Sequence, residues 1–305
     1  MSQIQLGIKV DVDTDRGTRI GVPNLLSLFD QEAIKATFLF SLGPDNTGRA
    51  IKRIFRPGFL KKVSRTSVLQ VYGLRTLLNG VLLPGPHIGK RRAPIMRQVK
   101  QAGHEIGIHC YDHIKWQDGL ATMSLPTVRD ELNKAQAVFY NVFGQKAKTA
   151  GAAGWQADEK SLQAYDDAGF TYASDCRGIS PFYPVVRGRR FSTLQLPTTL
   201  PTLDELWGRP EYPEESLIPY YQKLLRPGQL NVLTIHAELE GMAFLNWFER
   251  FIQTLKREGI CFAPLEDLAS NCFKQGGVPS CQMNQGEIDG RSGTLALQGD
   301  IVTGL

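Results

Sequence analysis

Cysteine is scarce in this chain and has no pattern. Five of 305 residues are Cys (Cys110, Cys176, Cys261, Cys272 and Cys281), and none forms a CxxC pair. An odd count without framework spacing argues against a disulfide scaffold and for a reducing compartment. Long apolar runs are also missing. No stretch of 18 or more residues is both uncharged and strongly apolar, so no membrane-spanning helix is expected. The opening residues, Met1-Ser-Gln-Ile-Gln, have neither the basic region nor the apolar core of a signal peptide, so none is expected. The apolar fraction of 42% with 21% charged residues fits a folded globular protein rather than a disordered one. At this length the chain forms one large domain or two smaller ones.

Acidic residues are absent from one long interval. Between Asp45 and Glu105 there is no Asp or Glu, while 13 Lys and Arg fall there. The whole chain is only +5, so the remainder is net acidic. Such one-sidedness predicts an anionic partner: membrane lipid, phosphate or nucleic acid. No nucleic-acid-binding motif accompanies it. Ile51, Ile54, Phe55, Phe59, Leu60 and Val63 recur at roughly helical spacing, with Lys52, Arg53, Arg56, Lys61, Lys62 and Arg65 between them. Pro57-Gly58 would kink or divide that helix. The following segment, 67–83, is very apolar apart from Arg75 and Asn79. Basic residues beside an apolar face are the pattern of a helix lying in a membrane interface. A core-packing helix with a solvated basic face has the same pattern.

Elsewhere strands and helices alternate. Strand-like runs occupy 4–11, 36–42, 105–110, 147–153, 171–176, 193–200 and 231–237; helical periodicity occupies 23–34, 94–102, 125–143, 158–168, 216–225 and 244–258. Gly103, Gly144, Gly169 and Gly259 each follow a helical segment, where a left-handed cap residue belongs. Repeated strand–helix units predict an α/β fold with a parallel sheet, and about seven strands favour a distorted barrel. Two segments break the rhythm. Residues 43–93 form a long insertion after the second strand, and the tail beyond Gly276 is rich in Gly, Gln, Ser and Asp. The predicted division is a barrel over 1–275, including the insertion, and a surface extension over 276–305 that carries no chemistry.

The histidines are few, and two of the five stand four residues apart. His109 and His113 follow the third strand, where a helical turn would put both rings on one face as metal ligands. A hydrogen-bonded histidine pair would fit the same spacing. Asp11 and Asp13 end the first strand, and residues i and i+2 of a strand share a face. One carboxylate can then bind a metal while the other takes a proton from water. Strand-end aspartates also serve as turn or cap residues, and Asp15 is such a candidate. His236 ends the strand Asn231-Val-Leu-Thr-Ile-His and is followed by Glu238 and Glu240. Across the site it could protonate a leaving amine, with Asp175 orienting its ring; alone, it would read as a core histidine. His87 and His104 read as structural or exposed. Active sites of parallel α/β barrels gather at the strand C-termini, where Asp11, Asp13, His109, Asp175 and His236 all fall.

In this order these motifs resemble the polysaccharide deacetylase (NodB-homology, carbohydrate esterase 4) superfamily. Longer stretches are similar to its branch that deformylates undecaprenyl-phosphate-linked 4-deoxy-4-formamido-L-arabinose: Asp11-Val-Asp-Thr with Arg16-Gly-Thr-Arg19, Gly43-Pro-Asp-Asn46, His109-Cys-Tyr-Asp-His113 with Trp116-Gln117, Ala152-Ala-Gly-Trp155, Ser174-Asp-Cys-Arg-Gly178, Leu196 to Thr202, and His236-Ala-Glu-Leu-Glu-Gly241. The resemblance runs over about residues 5–270. It implies a distorted (β/α)7 barrel and one divalent metal (Zn, Mn, Co or Ni) on Asp13, His109 and His113. It also implies Asp11 as base, His236 as acid, and a backbone N–H near Trp155 for the oxyanion. The implied partners are a polyprenyl-phosphate-linked sugar and the anionic cytoplasmic face of the bacterial inner membrane, not nucleic acid. The implied product serves lipid A modification and polymyxin resistance. Other members place an arginine near the fourth strand to orient the base; here the stretch reads Ala152-Ala-Gly-Trp-Gln156, leaving Arg16, Arg19 or Arg177 as substitutes. Deacylation of another N-acyl sugar or of a cyclic amide, and an inactive lipid-binding barrel, are the alternatives.

Overall fold

The computed structural model describes residues 3–50 and 78–304. Its elements are β1 (Gln5–Val12), α1 (Val22–Gln31), β2 (Thr37–Ser41), α2 (Ile88–Gln101), β3 (Glu105–Cys110), α3 (His113–Gly119), α4 (Leu125–Phe143), β4 (Thr149–Ala150), α5 (Glu159–Ala168), β5 (Tyr172–Ala173), β6 (Tyr183–Val186), β7 (Arg189–Arg190), β8 (Leu194–Gln195), α6 (Leu203–Leu206), α7 (Glu214–Leu224), β9 (Val232–His236), α8 (Leu245–Arg257), β10 (Cys261–Ala263), α9 (Leu265–Gln275), β11 (Ser280–Gly286) and β12 (Leu295–Ile301). The six basic residues read as lipid-facing, Lys52, Arg53, Arg56, Lys61, Lys62 and Arg65, lie outside the described residues.

β1 has the sequence of a strand covered on both faces. Leu6, Ile8, Val10 and Val12 belong to the main apolar cluster, which α1, α2, α4 and α8 close from outside. The alternate residues Gly7, Lys9 and Asp11 face the opposite way, into the curl of the sheet. All strand pairs of this sheet are parallel, and they run β9-β1-β2-β3-β4-β5-β8, with short β10 against the start of β1. The sheet curls toward closure: the amides of Thr199 and Leu200 both donate to the Val232 carbonyl, bridging the chain after β8 to β9. Glycine makes room inside. A Cβ on Gly107 would lie 2.6 Å from the Leu39 side chain, and one on Gly151 would lie 2.5 Å from Leu39 and 3.1 Å from Lys9 Nζ. This is the distorted α/β barrel expected from the strand count.

Helix ends follow local sequence. Gly103, Gly144, Gly169 and Gly259 all take positive φ, between 69° and 78°. α2 starts six residues earlier than the periodicity predicts. His87 caps it by accepting the Lys90 amide, and the helix continues through Pro94. The tail departs furthest from expectation. β11 and β12 pair antiparallel, and β11 joins β6 to give a second sheet, β12-β11-β6-β7. Cys281, Met283 and Ala296 pack there with Phe182, Phe191 and Cys176 in a separate apolar cluster. The tail is therefore built into the fold and is not a loose surface extension.

Candidate metal centre and active site

The site forms where β1, β3 and β9 end. Asp11 is in register with His236 across β1 and β9, so base and acid candidates emerge side by side. His109 is the penultimate residue of β3 and His113 opens α3. Asp112 caps that helix by accepting the Lys115 amide, and Asn46 Nδ2 donates to its other oxygen at 2.6 Å. The start of the insertion is thereby tied to the histidine turn. On the other side, Glu238 Oε1 accepts the Asp13 amide (3.1 Å), the Thr14 amide (2.8 Å) and the Thr14 hydroxyl (2.7 Å), which bends the chain after β1 toward the histidines. Glu240 accepts the His236 amide at 2.9 Å. Both glutamates, read from sequence only as supporting residues, are buried framework groups. Burial and the nearby Asp13 charge push Glu238 well above the ordinary carboxylate range, and burial pushes Glu240 up to about 8.

Asp13, His109 and His113 converge. Asp13 Oδ1 lies 3.2 Å from His109 Nε2, Asp13 Oδ2 lies 3.5 Å from His113 Nε2, and the three ligand atoms fall within 4.8 Å of one another. Such spacing suits one cation with bonds of about 2 Å. His109 Nδ1 lies 2.8 Å from the Gly151 carbonyl, which can only accept, so Nδ1 carries a proton and, in the neutral ring that a metal requires, the Nε2 lone pair faces Asp13. Two acceptors facing each other in a buried site call for a positive charge between them. Asp11 Oδ1, Asp13 Oδ1 and His236 Nδ1 are buried without a hydrogen-bond partner, as a centre awaiting metal, water and substrate would be. Burial alone would lower His109, but Asp11 and Asp13 outweigh it and raise it. Burial would raise Asp13, but His113, His109 and His236 hold it well below the usual carboxylate range.

The cation beside Asp11 is Lys9, which the sequence reading missed. Lys9 Nζ sits 3.5 Å from Asp11 Oδ2, donates to the Ser174 carbonyl at 2.9 Å and lies 5.4 Å from the Trp155 ring centroid. It is wholly buried. The signal was a lysine two residues before Asp11 in an apolar strand, hence on the same face. Arg177 is engaged elsewhere, with Glu205 (2.7 Å) and the carbonyls of Thr198 and Leu200. Asp175 does not orient His236. It accepts from Gln195 Nε2 at 2.9 Å and from the Tyr165 hydroxyl at 3.5 Å, and burial raises it to about 6. The Trp155 amide donates to the Ala152 carbonyl, so an oxyanion donor here would be another amide of that turn. His104 is buried against Phe29 and Phe38, and its Nδ1 accepts the Ala36 amide. Asp15 is held by Arg92 through two 2.7 Å bonds.

A family model described as "Polysaccharide deacetylase" matches residues 12–173. A protein of Shewanella sediminis (strain HAW-EB3), named "Probable 4-deoxy-4-formamido-L-arabinose-phosphoundecaprenol deformylase ArnD", is 40% identical over 298 residues, which is 98% of this chain and 96% of that one. A protein of the same name from Wigglesworthia glossinidia brevipalpis is 35% identical over 94% of this chain and 99% of its own. Among solved structures, a candidate polysaccharide deacetylase from Mycobacterium smegmatis superposes with TM-score 0.65 at 17% identity, covering 94% of this chain and 96% of that one. A family 4 acetyl xylan esterase from Clostridium thermocellum, solved with a cobalt ion, superposes with TM-score 0.52 at 17% identity, covering 90% and 93%. The solved structures share the curled parallel sheet found here. With its family model spanning more than half the sequence and its relatives matching nearly end to end, the chain belongs to the polysaccharide deacetylase family.

Proposed function

We propose that this protein is a metal-dependent amide hydrolase that removes the formyl group from undecaprenyl-phosphate-linked 4-deoxy-4-formamido-L-arabinose. The observation that carries this reading is similarity over 98% of the chain, at 40% identity, to a protein named for that activity. The site supplies the parts the chemistry needs. A divalent ion held by Asp13, His109 and His113 would polarise the formyl oxygen and lower the pKa of water. Asp11, beside His109 and paired with Lys9, takes the proton from the attacking water. His236, in register with Asp11, gives a proton to the departing amine through a nitrogen that no protein group occupies. Formate and a free amino sugar result, and the amino sugar suits later use in lipid A modification.

We further read the protein as peripheral to the anionic inner-membrane surface. Among the described residues no helix is long and apolar enough to cross a membrane. Leu78, Val81, Leu82 and Leu83 are exposed apolar side chains within the acid-free interval, and Gly80 packs on Asn46, which holds the histidine turn. The exposed apolar turn is thus linked through Asn46 to the histidine turn, which supports this reading. Mass spectrometry of the synthetic lipid-linked formamido sugar after incubation with the metal-loaded protein tests the function. Loss of the formyl mass with stoichiometric formate is the expected result. An unchanged substrate alongside turnover of an N-acetyl sugar or cyclic amide would sink it.

A further inference from the structure

The C-terminal hairpin grips the turn that holds His109. That turn, Gly151 to Gln156, offers the Gly151 carbonyl to His109 Nδ1. It contains two successive left-handed residues, Gly154 (φ 62°) and Trp155 (φ 54°). A tryptophan in that region costs on the order of 1 kcal/mol or more, so such a turn persists only when its surroundings hold it. The tail supplies three holds. Gln285 Nε2 donates to the Ala157 carbonyl at 2.7 Å, and the Thr294 carbonyl accepts from Gln156 Nε2 at 2.7 Å. The Arg291 guanidinium lies 4.2 Å from the Trp155 ring centroid, nearer than Arg177 or Lys9, both at 5.4 Å.

Arg291 is itself held in place. Its Nε donates to Glu205 Oε1 at 3.2 Å, the same oxygen that Arg177 reaches at 2.7 Å, and Asp204 lies 3.8 Å away. Gly290 takes φ 82°, and a Cβ there would lie 2.6 Å from the Glu205 carbonyl, so close approach at that point aims Arg291 at the ring. The indole is thereby held by the cation over its face and by its own N–H bond to Thr198 at 3.1 Å.

We propose that Arg291 is a positioning residue for the metal centre: the tail hairpin clamps the Trp155 turn, and the turn sets the carbonyl that orients His109 Nε2 toward the metal. The turnover arm of the test rests on the deformylase reading; the metal arm does not. Full-length Arg291→Ala and Arg291→Lys are compared with the parent for Co2+ dissociation constant, cobalt absorption spectrum, kcat, KM and melting temperature. Arg291→Ala should bind Co2+ about tenfold more weakly, the low end for losing support behind a metal ligand, with a changed spectrum. Its kcat should fall in similar measure while KM stays within about twofold, as expected of a residue that acts through the metal centre rather than on the substrate. Arg291→Lys keeps the charge near Glu205 but not the guanidinium over the Trp155 ring, so it should also bind Co2+ more weakly than the parent. A folded Arg291→Ala with parental Co2+ affinity and spectrum overturns the proposal. If that variant does not fold, Arg291→Lys decides on the same readout. A parent that turns over no formamido sugar, together with weakened Co2+ binding in the variants, would sink the deformylase reading and leave the clamp standing.

Discussion

At the scale of single residues, we propose that Lys9 supplies the cation beside Asp11 for which the resemblance implied an arginine. Its ammonium is wholly buried, so its attraction to Asp11 is little screened, and removing it strands a buried carboxylate. Lys9→Met should cost roughly 3 kcal/mol of stability by that argument. It should also lower kcat/KM by about a hundredfold, since the base loses the group that holds its carboxylate in place. Lys9→Arg should recover most of the activity. Equal rates for Lys9→Met and the parent would mean that Lys9 only fills space. Asp11→Asn and His236→Gln should each abolish turnover yet leave bound metal, measured by elemental analysis, near the parental content. His109→Ala should lose both, because it removes a ligand atom. Metal loss in Asp11→Asn would move Asp11 from the base role into the ligand set.

The elements at the opposite mouth of the barrel govern stability. Glu105 opens β3 and accepts the Thr37 and Tyr172 hydroxyls, both at 2.5 Å, and the Glu266 amide; burial raises it to about 7. Its neighbour His104 is lowered to about 4, by burial first and then by Lys35. The two act in opposite directions. The folded state holds the Glu105 proton that the unfolded chain gives up, so this contribution is full below pH 4.5 and is lost as pH rises to about 7. The unfolded chain takes up a His104 proton that the folded state refuses, so that contribution is lost as pH falls from 6.5 to about 4. Glu105→Gln should remove the first effect alone. Its stability should then climb more steeply than the parent's from pH 4.5 to 7, by up to about 3 kcal/mol in denaturant titrations. Parallel profiles would refute the assignment. At this scale the sequence was legible where signals are local: positive φ at the four capping glycines, i to i+2 pairing at Asp11 and Asp13, i to i+4 pairing at His109 and His113. It was not legible where partners are distant. β11 alternates weakly, with Cys281 and Met283 its inward residues, and pairs with β6 about a hundred residues upstream. Nothing local marks Arg291 as a neighbour of Trp155.

On the scale of the whole molecule, the basic charge is concentrated in one interval of the sequence. In sequence, the interval without Asp or Glu begins after Asp45, includes the exposed turn of Leu78 to Leu83, and ends before β3, which carries His109 to the site. On the proposed membrane-peripheral reading, this basic interval is the part of the chain that meets the bilayer. Two forces then add. Each Lys or Arg near an anionic surface contributes about 1 kcal/mol, falling off with salt over a Debye length of about 10 Å at 0.1 M. A buried leucine side chain contributes about 1.5–3 kcal/mol independently of salt. The two are separable in a co-sedimentation assay with vesicles of phosphatidylglycerol and phosphatidylethanolamine. Neutralising Lys52, Arg53, Lys61 and Lys62 together should weaken binding by up to about a thousandfold at low salt and much less at 1 M. Leu82→Ser, at a side chain that is 75% exposed, should weaken it by about tenfold at both, without loss of fold. In both variants, formamide cleavage on a short-chain, water-soluble analogue should match the parent, because no residue of the metal centre is altered. Binding that ignores all five substitutions would place the membrane contact on another face.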